Sequence, residues 1–299
     1  MSEASVVHDD LTTVPKEFVH LKHDASVFIT GWKQLGEGEF TLTAHWPAAV
    51  EGHAYDPRVL TQTIRQSGLV IAHGAYDVPL THHTLLHYFN FTVRPGFHVP
   101  TDRPSALDIE IKVSEPTRRG RNVSGLGMDV HVLQDNTTVA VANSEFGWIS
   151  PAAYRRLRGE QLSNSWNEWR LPAPVAAHTV GRPAASDVVL AATGHPHRWQ
   201  LRNDVANVIL FDHPVDHVPG LALMEAGYQA AQAVLSPASF EPTGIASSFE
   251  RYVEFDRPCW VEAERLASDR PGHTAVRVTG TQDGRSVFRL ELSGTIRRR

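Results

Sequence analysis

A single carboxylate lies inside the most apolar stretch of the chain: Glu225, within Leu221 to Leu235 (LALMEAGYQAAQAVL), with Gln229 one turn further along. A charge there is costly unless it faces a cavity or a partner, and burial would raise its pKa toward general acid or base use. The string just before it, Phe211-Asp212-His213-Pro214-Val215-Asp216-His217-Val218-Pro219-Gly220, brings two histidines close to the same stretch. An imidazole titrates near neutral pH, and His213, which precedes proline, is the stronger acid-base candidate of the two. With 17 histidines in the chain, residue type alone singles out none of them. No pair has zinc-like spacing with a third ligand, so no metal is expected.

These residues have a second copy. Leu60 to Pro79 (LTQTIRQSGLVIAHGAYDVP) aligns without a gap on Leu223 to Pro242 (LMEAGYQAAQAVLSPASFEP), an offset of 163 residues that carries Leu60 onto Leu223. Gln66 then falls on Gln229, Gln62 on Glu225, and Arg65 on Tyr228. A duplicated unit implies two similar domains in one chain. The shared Gln66 and Gln229 are read as structural amides that satisfy backbone groups, since buried polar groups are almost always paired. Arg65 differs in kind from Tyr228, because a guanidinium can form paired hydrogen bonds to a phosphate or carboxylate while tyrosine offers one hydroxyl. His45-Trp46-Pro47 is a degenerate counterpart of the His213-Pro214 string.

The elements that must position these groups are legible in outline. Asp56-Pro57 opens a helix in the first half, aspartate as cap and proline at the first helical position. Pro219-Gly220 leads into the second helix, which stops before Pro237 and is apolar nearly all round, as a buried helix is. The rest alternates as strands: Phe40, Leu42, Ala44 and Trp46 on one face, then residues 108–113, 128–132, 138–143 and most of 273–294. Gln134-Asp135-Asn136 and Gln282-Asp283-Gly284 read as matching hairpin turns. The expected class is α+β, each half a long buried helix wrapped by an antiparallel sheet. The boundaries are 20–155 and 186–299, joined by a linker over 156–185 that is rich in proline, alanine and charge.

At 299 residues there is room for two cores, and 28 basic against 33 acidic residues give no global case for nucleic acid. One cysteine, Cys259, excludes an intrachain disulfide and a cysteine-based zinc site. No apolar stretch is long enough to span a bilayer, so neither a membrane nor a nucleic-acid partner is expected, and the expected compartment is the cytoplasm.

The string from His213 through Pro219-Gly220 to Glu225 and Gln229 resembles the His-Phe-Pro, Pro-Gly, Glu-x-x-x-Gln pattern of hot-dog acyl-carrier-protein dehydratases. Taken with Ile64 to Pro79 (IRQSGLVIAHGAYDVP), the whole resembles the AfsA-type A-factor family of γ-butyrolactone synthases over roughly 25 to 297. That resemblance implies two tandem hot-dog domains packed as a pseudo-dimer. It also implies transfer of a β-ketoacyl group from an acyl carrier protein to the hydroxyl of dihydroxyacetone phosphate. No bound cofactor is implied beyond the phosphopantetheine arm of the donor. The family pattern Glu-x-x-Arg-Gln is split here, Gln62 with Arg65 in one copy and Glu225 with Tyr228 in the other. Either the copies complement one another at one site or the departures mark an altered acceptor.

On the first alternative His45 faces Glu225 across the units, with His213 opposite Gln62. Glu225 is then the base for the acceptor hydroxyl and Arg65 holds the phosphate, while Gln62, Tyr228 and Gln229 line the substrate. Basic clusters at Arg118, Arg119 and Arg121, at Arg155, Arg156 and Arg158, and at Arg297 to Arg299 are candidate docking surfaces for the acidic carrier. The rival readings are a hot-dog dehydratase or thioesterase using the same histidine and glutamate, and a binding protein that has lost turnover.

Overall fold

The computed structural model describes residues 11–50, 53–164, 166, 168–268 and 271–297. The first half runs β1 (Thr12–Thr13), β2 (Ile29–Gly36), β3 (Glu39–Trp46), α1 (Pro57–Gly74), β4 (His83–Val93), β5 (Ser105–Val113), β6 (Thr117–Arg119), β7 (Asn122–Gln134) and β8 (Thr137–Ile149). After α2 (Pro151–Arg158), the second half runs β9 (Leu190–Ala192), β10 (Arg198–Leu201), α3 (Gly220–Leu235), β11 (Ser239–Phe249), β12 (Trp260–Leu266), β13 (His273–Gln282) and β14 (Arg285–Arg297).

Each half wraps one helix in an antiparallel sheet. In β3 the alternation works as expected: Phe40, Leu42, Ala44 and Trp46 are buried, and Trp46 donates its indole N–H to Thr63 of α1 at 2.8 Å. The two hairpin turns also form, with Asp135 and Asn136 at φ 48 and 57 and Asp283 and Gly284 at φ 51 and 70. Positive φ at both central residues is the type I′ geometry whose twist suits adjacent strands. Helix α3 approaches its sheet closely at Gly227, where an added Cβ would lie 2.3 Å from the Leu290 side chain. No helix among the described residues is long and apolar enough to cross a membrane.

The halves join edge to edge. Strand β4 pairs with β11, Phe91 opposite Ile245 and Thr92 opposite Gly244, so the order β2-β3-β5-β7-β8-β4 continues as β11-β14-β13-β12-β10-β9. The second series reverses the first strand for strand, which is the pseudo-two-fold arrangement of a hot-dog pair. Ser247 locks the seam: its amide donates to Asn90 Oδ1 at 2.9 Å, and its hydroxyl bonds the Phe89 backbone.

The duplication reaches further back than the helices. Single-turn helices at Lys16–Val19 and Asp24–Ser26 have counterparts at Ala177–Val180 and Ala185–Asp187, so Lys16 to Ile29 falls on Ala177 to Leu190. Part of the segment expected to be linker therefore repeats the entry to the first unit. Gln66 and Gln229 tie this entry to the helix in both copies. Gln66 accepts from the Phe28 and Ile29 amides and donates to Ser26 O; Gln229 accepts from the Val189 amide and donates to Asp187 O. The structural reading of these amides holds. Replacing Gln66 with Leu strands three backbone groups and should cost ~3 kcal/mol, read as a lower denaturation midpoint with an unchanged slope.

Candidate active site

The pseudo-two-fold creates two loci, each where the middle of one long helix meets residues that precede or begin the other. They have diverged in charge.

At the first locus, the Glu225 carboxylate is wholly buried and clamped by Arg182, Nε to Oε1 at 2.5 Å and Nη2 to Oε2 at 2.7 Å. Gln229 Nε2 adds a bond to Oε1 at 2.6 Å. Burial alone would lower the Arg182 pKa, but the Glu225 charge raises it above the ordinary value. At the start of α1, Asp56 caps the helix through the Arg58 amide and pairs with the Arg58 guanidinium at 2.8 Å; Arg58 also approaches Asp187 at 3.7 Å. Burial opposes ionisation of Asp56, yet Arg58 holds its carboxyl below the usual range. The charges here are matched among themselves. Tyr228 is buried beside Thr61, and neither hydroxyl has a well-aligned partner.

The second locus has the opposite character. Arg65, half-buried, gives one weak bond to Val19 O at 3.3 Å and touches Gln62 Oε1 at 3.5 Å, and among the described residues it makes no ion pair. Burial depresses its pKa to about 10 while Asp212 works the other way, so it remains a cation at neutral pH. Around it stand His20, His73 and, from the loop ahead of α3, Asp212 and His213. The His20 and His73 Nε2 atoms meet at 2.9 Å, and His73 Nδ1 lies 2.6 Å from Val78 O. Burial, with the neighbouring His73, Arg65, His213 and His83, pushes the His20 pKa down to about 4; burial lowers that of His73 too. Both imidazoles are neutral at pH 7.

The loop that brings Asp212 and His213 here is pinned at both ends. Asp212 accepts from the Lys22 and His23 amides at 2.8 and 3.1 Å and holds His213 Nδ1 at 3.1 Å. Four residues on, Asp216 takes Arg158 Nε at 2.7 Å and the Tyr154 hydroxyl at 2.7 Å, while Arg158 also pairs with Glu254 at 2.6 Å. Helix α2 thus braces the loop, with His83 stacked on Tyr154 at 3.7 Å. A half-buried cation in no ion pair among the described residues, with Asp212 acting on it only from further off, can receive an anion, and the neutral imidazoles beside it can accept a proton.

The sequence pattern described as "A-factor biosynthesis hotdog domain" (AfsA) matches residues 2–149 and 167–297. The chain belongs to the AfsA family. Among AfsA relatives, a "2-oxo-3-(phosphooxy)propyl 3-oxoalkanoate synthase" of Streptomyces virginiae is 42% identical over 93% of this chain and 96% of its own. One of the same description from Streptomyces griseus is 35% identical over 98% of each. Among solved structures, an oleoyl thioesterase (putative) from Lactobacillus plantarum superposes with a TM-score of 0.56 at 10% identity, covering 87% of this chain and 97% of its own. The 12:0-ACP thioesterase from Umbellularia californica gives 0.54 at 8% identity, covering 86% and 94%. At such identities these two speak for the hot-dog fold alone.

The AfsA chain does not assemble the single combined site expected from its sequence. His45 is exposed on the outer face of β3, between buried Ala44 and Trp46, because strand alternation turns it away from the helix; it does not face the buried Glu225. Arg65 and Glu225 belong to different loci, each with its own partners. His213, Gln62 and Arg65 are brought together; so are Glu225, Tyr228 and Gln229. Arg158, expected on a docking surface, is buried in its double ion pair; Arg297 pairs with Glu241 at 2.6 Å, and Arg298 and Arg299 lie outside the described residues.

Two important residues escaped sequence reasoning. Arg182 lay in the presumed linker, and His20 is one histidine among many. Extending the duplication back to Lys16 would have set His20 against Gly181 and Leu21 against Arg182, exposing both. A groove bordered by the exposed residues Leu35, Thr92, Val141 and Ala246 lies on the solvent side of the sheet and includes no residue of either locus.

Removing one partner of the Glu225–Arg182 pair leaves an uncompensated buried charge. Glu225→Ala and Arg182→Ala should each cost ~3–5 kcal/mol of folding stability, and the double variant less than their sum. Chemical denaturation of the three variants measures this.

Proposed function

We propose that this chain transfers a 3-oxoacyl group from a thioester to a hydroxyl of dihydroxyacetone phosphate, the reaction named by its relatives, and that it does so at the Arg65 locus. The supporting observation is Arg65 itself: a half-buried guanidinium with no carboxylate within ion-pair distance among the described residues and only Asp212 further off, where the twin locus has Tyr228 and pairs its own charges directly. A cation kept without a counter-ion is prepared for an anion from outside. The acceptor phosphate supplies one.

On this reading Glu225 is a structural clamp rather than the base, because both of its oxygens already accept from Arg182 and Gln229. Gln62 keeps the equivalent place in the working locus neutral, which avoids repelling a phosphate. The transfer exchanges one substituent on a carbonyl for another and needs neither electrons nor a resident cofactor. The acyl group arrives on the phosphopantetheine arm of an acyl carrier protein. Arg155 and Arg156 suit the docking of that acidic carrier, since they are exposed on α2, the helix that braces the loop of this locus.

Incubation with a 3-oxoacyl carrier-protein thioester and dihydroxyacetone phosphate should give a phosphorylated ester detectable by mass spectrometry. An enoyl thioester or free acid, independent of the acceptor, would identify a dehydratase or thioesterase instead. Arg65→Gln should raise KM for the phosphorylated acceptor by roughly 10–100-fold and leave KM for the donor unchanged, the worth of a charge-assisted contact. Joint replacement of Arg155 and Arg156 by Glu should lower kcat/KM roughly tenfold with the carrier-protein donor, and hardly at all with a short pantetheine thioester.

A further inference from the structure

The differences between the copies converge on one place. Gln62 stands for Glu225, Arg65 for Tyr228, His73 for Ser236, and His20 for Gly181. The last is the most informative. His20 follows the Lys16–Val19 turn with φ 56 and ψ 38, and Gly181 follows the Ala177–Val180 turn with φ 67 and ψ 34. Glycine occupies this left-handed region freely, whereas a residue with a Cβ is held there at a cost of ~1 kcal/mol or more. The twin shows that the fold needs no side chain at this position. The backbone alone assigns no role, since Asn136 is left-handed opposite Gly284 in a hairpin turn; at His20 the side-chain hydrogen bonds decide.

The hydrogen bonds define its state. Val78 O can only accept, so His73 Nδ1, 2.6 Å away, carries the proton of that ring. Neutral His73 therefore presents a bare Nε2, which must accept from His20 Nε2 at 2.9 Å. Neutral His20 is left with its proton on Nε2 and a lone pair on Nδ1. That nitrogen has no hydrogen-bond partner among the described residues. The chain Val78 O, His73, His20 is an orienting relay that ends in an unoccupied base.

We propose that His20 Nδ1 is the general base of the acyl transfer, and that His73 is a positioning residue that fixes its tautomer. The proposal rests on the acyl-transfer reading above. Nδ1 takes the proton from the acceptor hydroxyl as its oxygen attacks the thioester carbonyl and the carbon–oxygen bond forms. When the carbon–sulfur bond breaks, the imidazolium returns that proton to the departing sulfur, which leaves as a thiol, and His20 is neutral again.

The charged and titratable groups facing His20 are His73 and Arg65 from α1, His83 from β4 and His213 from the loop before α3; Asp212 lies against Arg65 and His213. Burial first, and then the surrounding imidazoles and the Arg65 cation, keep the ring unprotonated, although that also makes it a weak base. A bound phosphate dianion offsets the part due to charge and strengthens the base. The acceptor thereby activates its own base, and acceptors without a phosphate lose turnover as well as affinity.

The decisive variant is His20→Gly, which installs the twin's residue and relieves the backbone. It should fold with a Tm at or above that of the parent while kcat falls by roughly 10²–10⁴, the usual contribution of a positioned base, with KM for the acceptor within a few-fold. Free imidazole should restore part of the rate. His73→Leu should lower kcat, and His73→Gln, which returns a carbonyl acceptor, should recover much of the loss. In the parent the acid limb of kcat/KM should lie below the ordinary histidine value of about 6.5, and His20→Gly should abolish it.

Ester formation by His20→Gly at near-parental kcat overturns the proposal and leaves the acyl-transfer reading intact; absence of ester from the parent overturns both. Nitrogen-15 spectra of the histidines in the full chain give a test independent of turnover. Protonated Nε2 with bare Nδ1 on His20 at pH 7 supports the relay, and a proton on Nδ1 overturns it. Loss of parental activity to a chelator, with stoichiometric zinc in the protein, overturns it too, since both Nε2 atoms would then be metal ligands.

Discussion

The pairing of β4 with β11 is the constraint on which the rest depends. It makes one continuous sheet of the two halves and sets α1 and α3 side by side beneath it, so that residues before or at the start of one helix reach the middle of the other. Neither half owns a complete site. Asp212 and His213, from the second half, meet Arg65 and His20 of the first, while Asp56 and Arg58, from the first, meet the Asp187–Glu225 region of the second. Ser247, bonded to Phe89 and Asn90 across the seam, is a structural residue, yet any slip at that register would disturb both loci together.

Given two equivalent positions, the chain has spent their polarity differently. At the Glu225 locus every formal charge has an internal partner: Arg182 with Glu225, Arg58 with Asp56 and Asp187. Buried pairs of this kind contribute little net stability but hold the elements that carry them in fixed relation, and breaking one is expensive. At the Arg65 locus Gln62 stands where the other copy has the acid, and the arginine forms no ion pair among the described residues, Asp212 acting on it only from further off. One locus ties the segment entering the second unit to its helix; the other leaves a guanidinium without an ion pair among the described residues, which is the ground of the proposal that an anion binds there.

The fold was legible from the sequence because it rests on periodicity. Alternation in β3, the Asp56-Pro57 helix start, the paired hairpin turns and the buried amides Gln66 and Gln229 are local signals with local causes. The site was legible only in part. Arg65 and His213 could be picked out by type and by comparison of the copies, but Glu225 reads two ways: a carboxylate in an apolar helix signals either chemistry or a buried ion pair, and its partner Arg182 sits 43 residues earlier in a stretch whose composition imitates a linker. His45 misled. Motif likeness placed it at the right point in the chain, and strand alternation turned it outward.

His20 was invisible for a deeper reason: what marks it is a backbone angle, and angles are not written in residue type. A left-handed histidine costs free energy that a left-handed glycine does not, and the twin unit demonstrates that the cheaper solution was available in the same fold. Strain that survives beside its unstrained copy in one molecule is stronger ground for function than strain alone, because the internal twin removes the explanation that the fold demanded it. Duplication thus supplies a control within the chain itself. Where the copies agree, as at Gln66 and Gln229, the residue serves the architecture. Where the costlier member of a divergent pair also carries a titratable side chain among other polar groups, as His20 does and the hairpin residue Asn136 does not, chemistry should be sought.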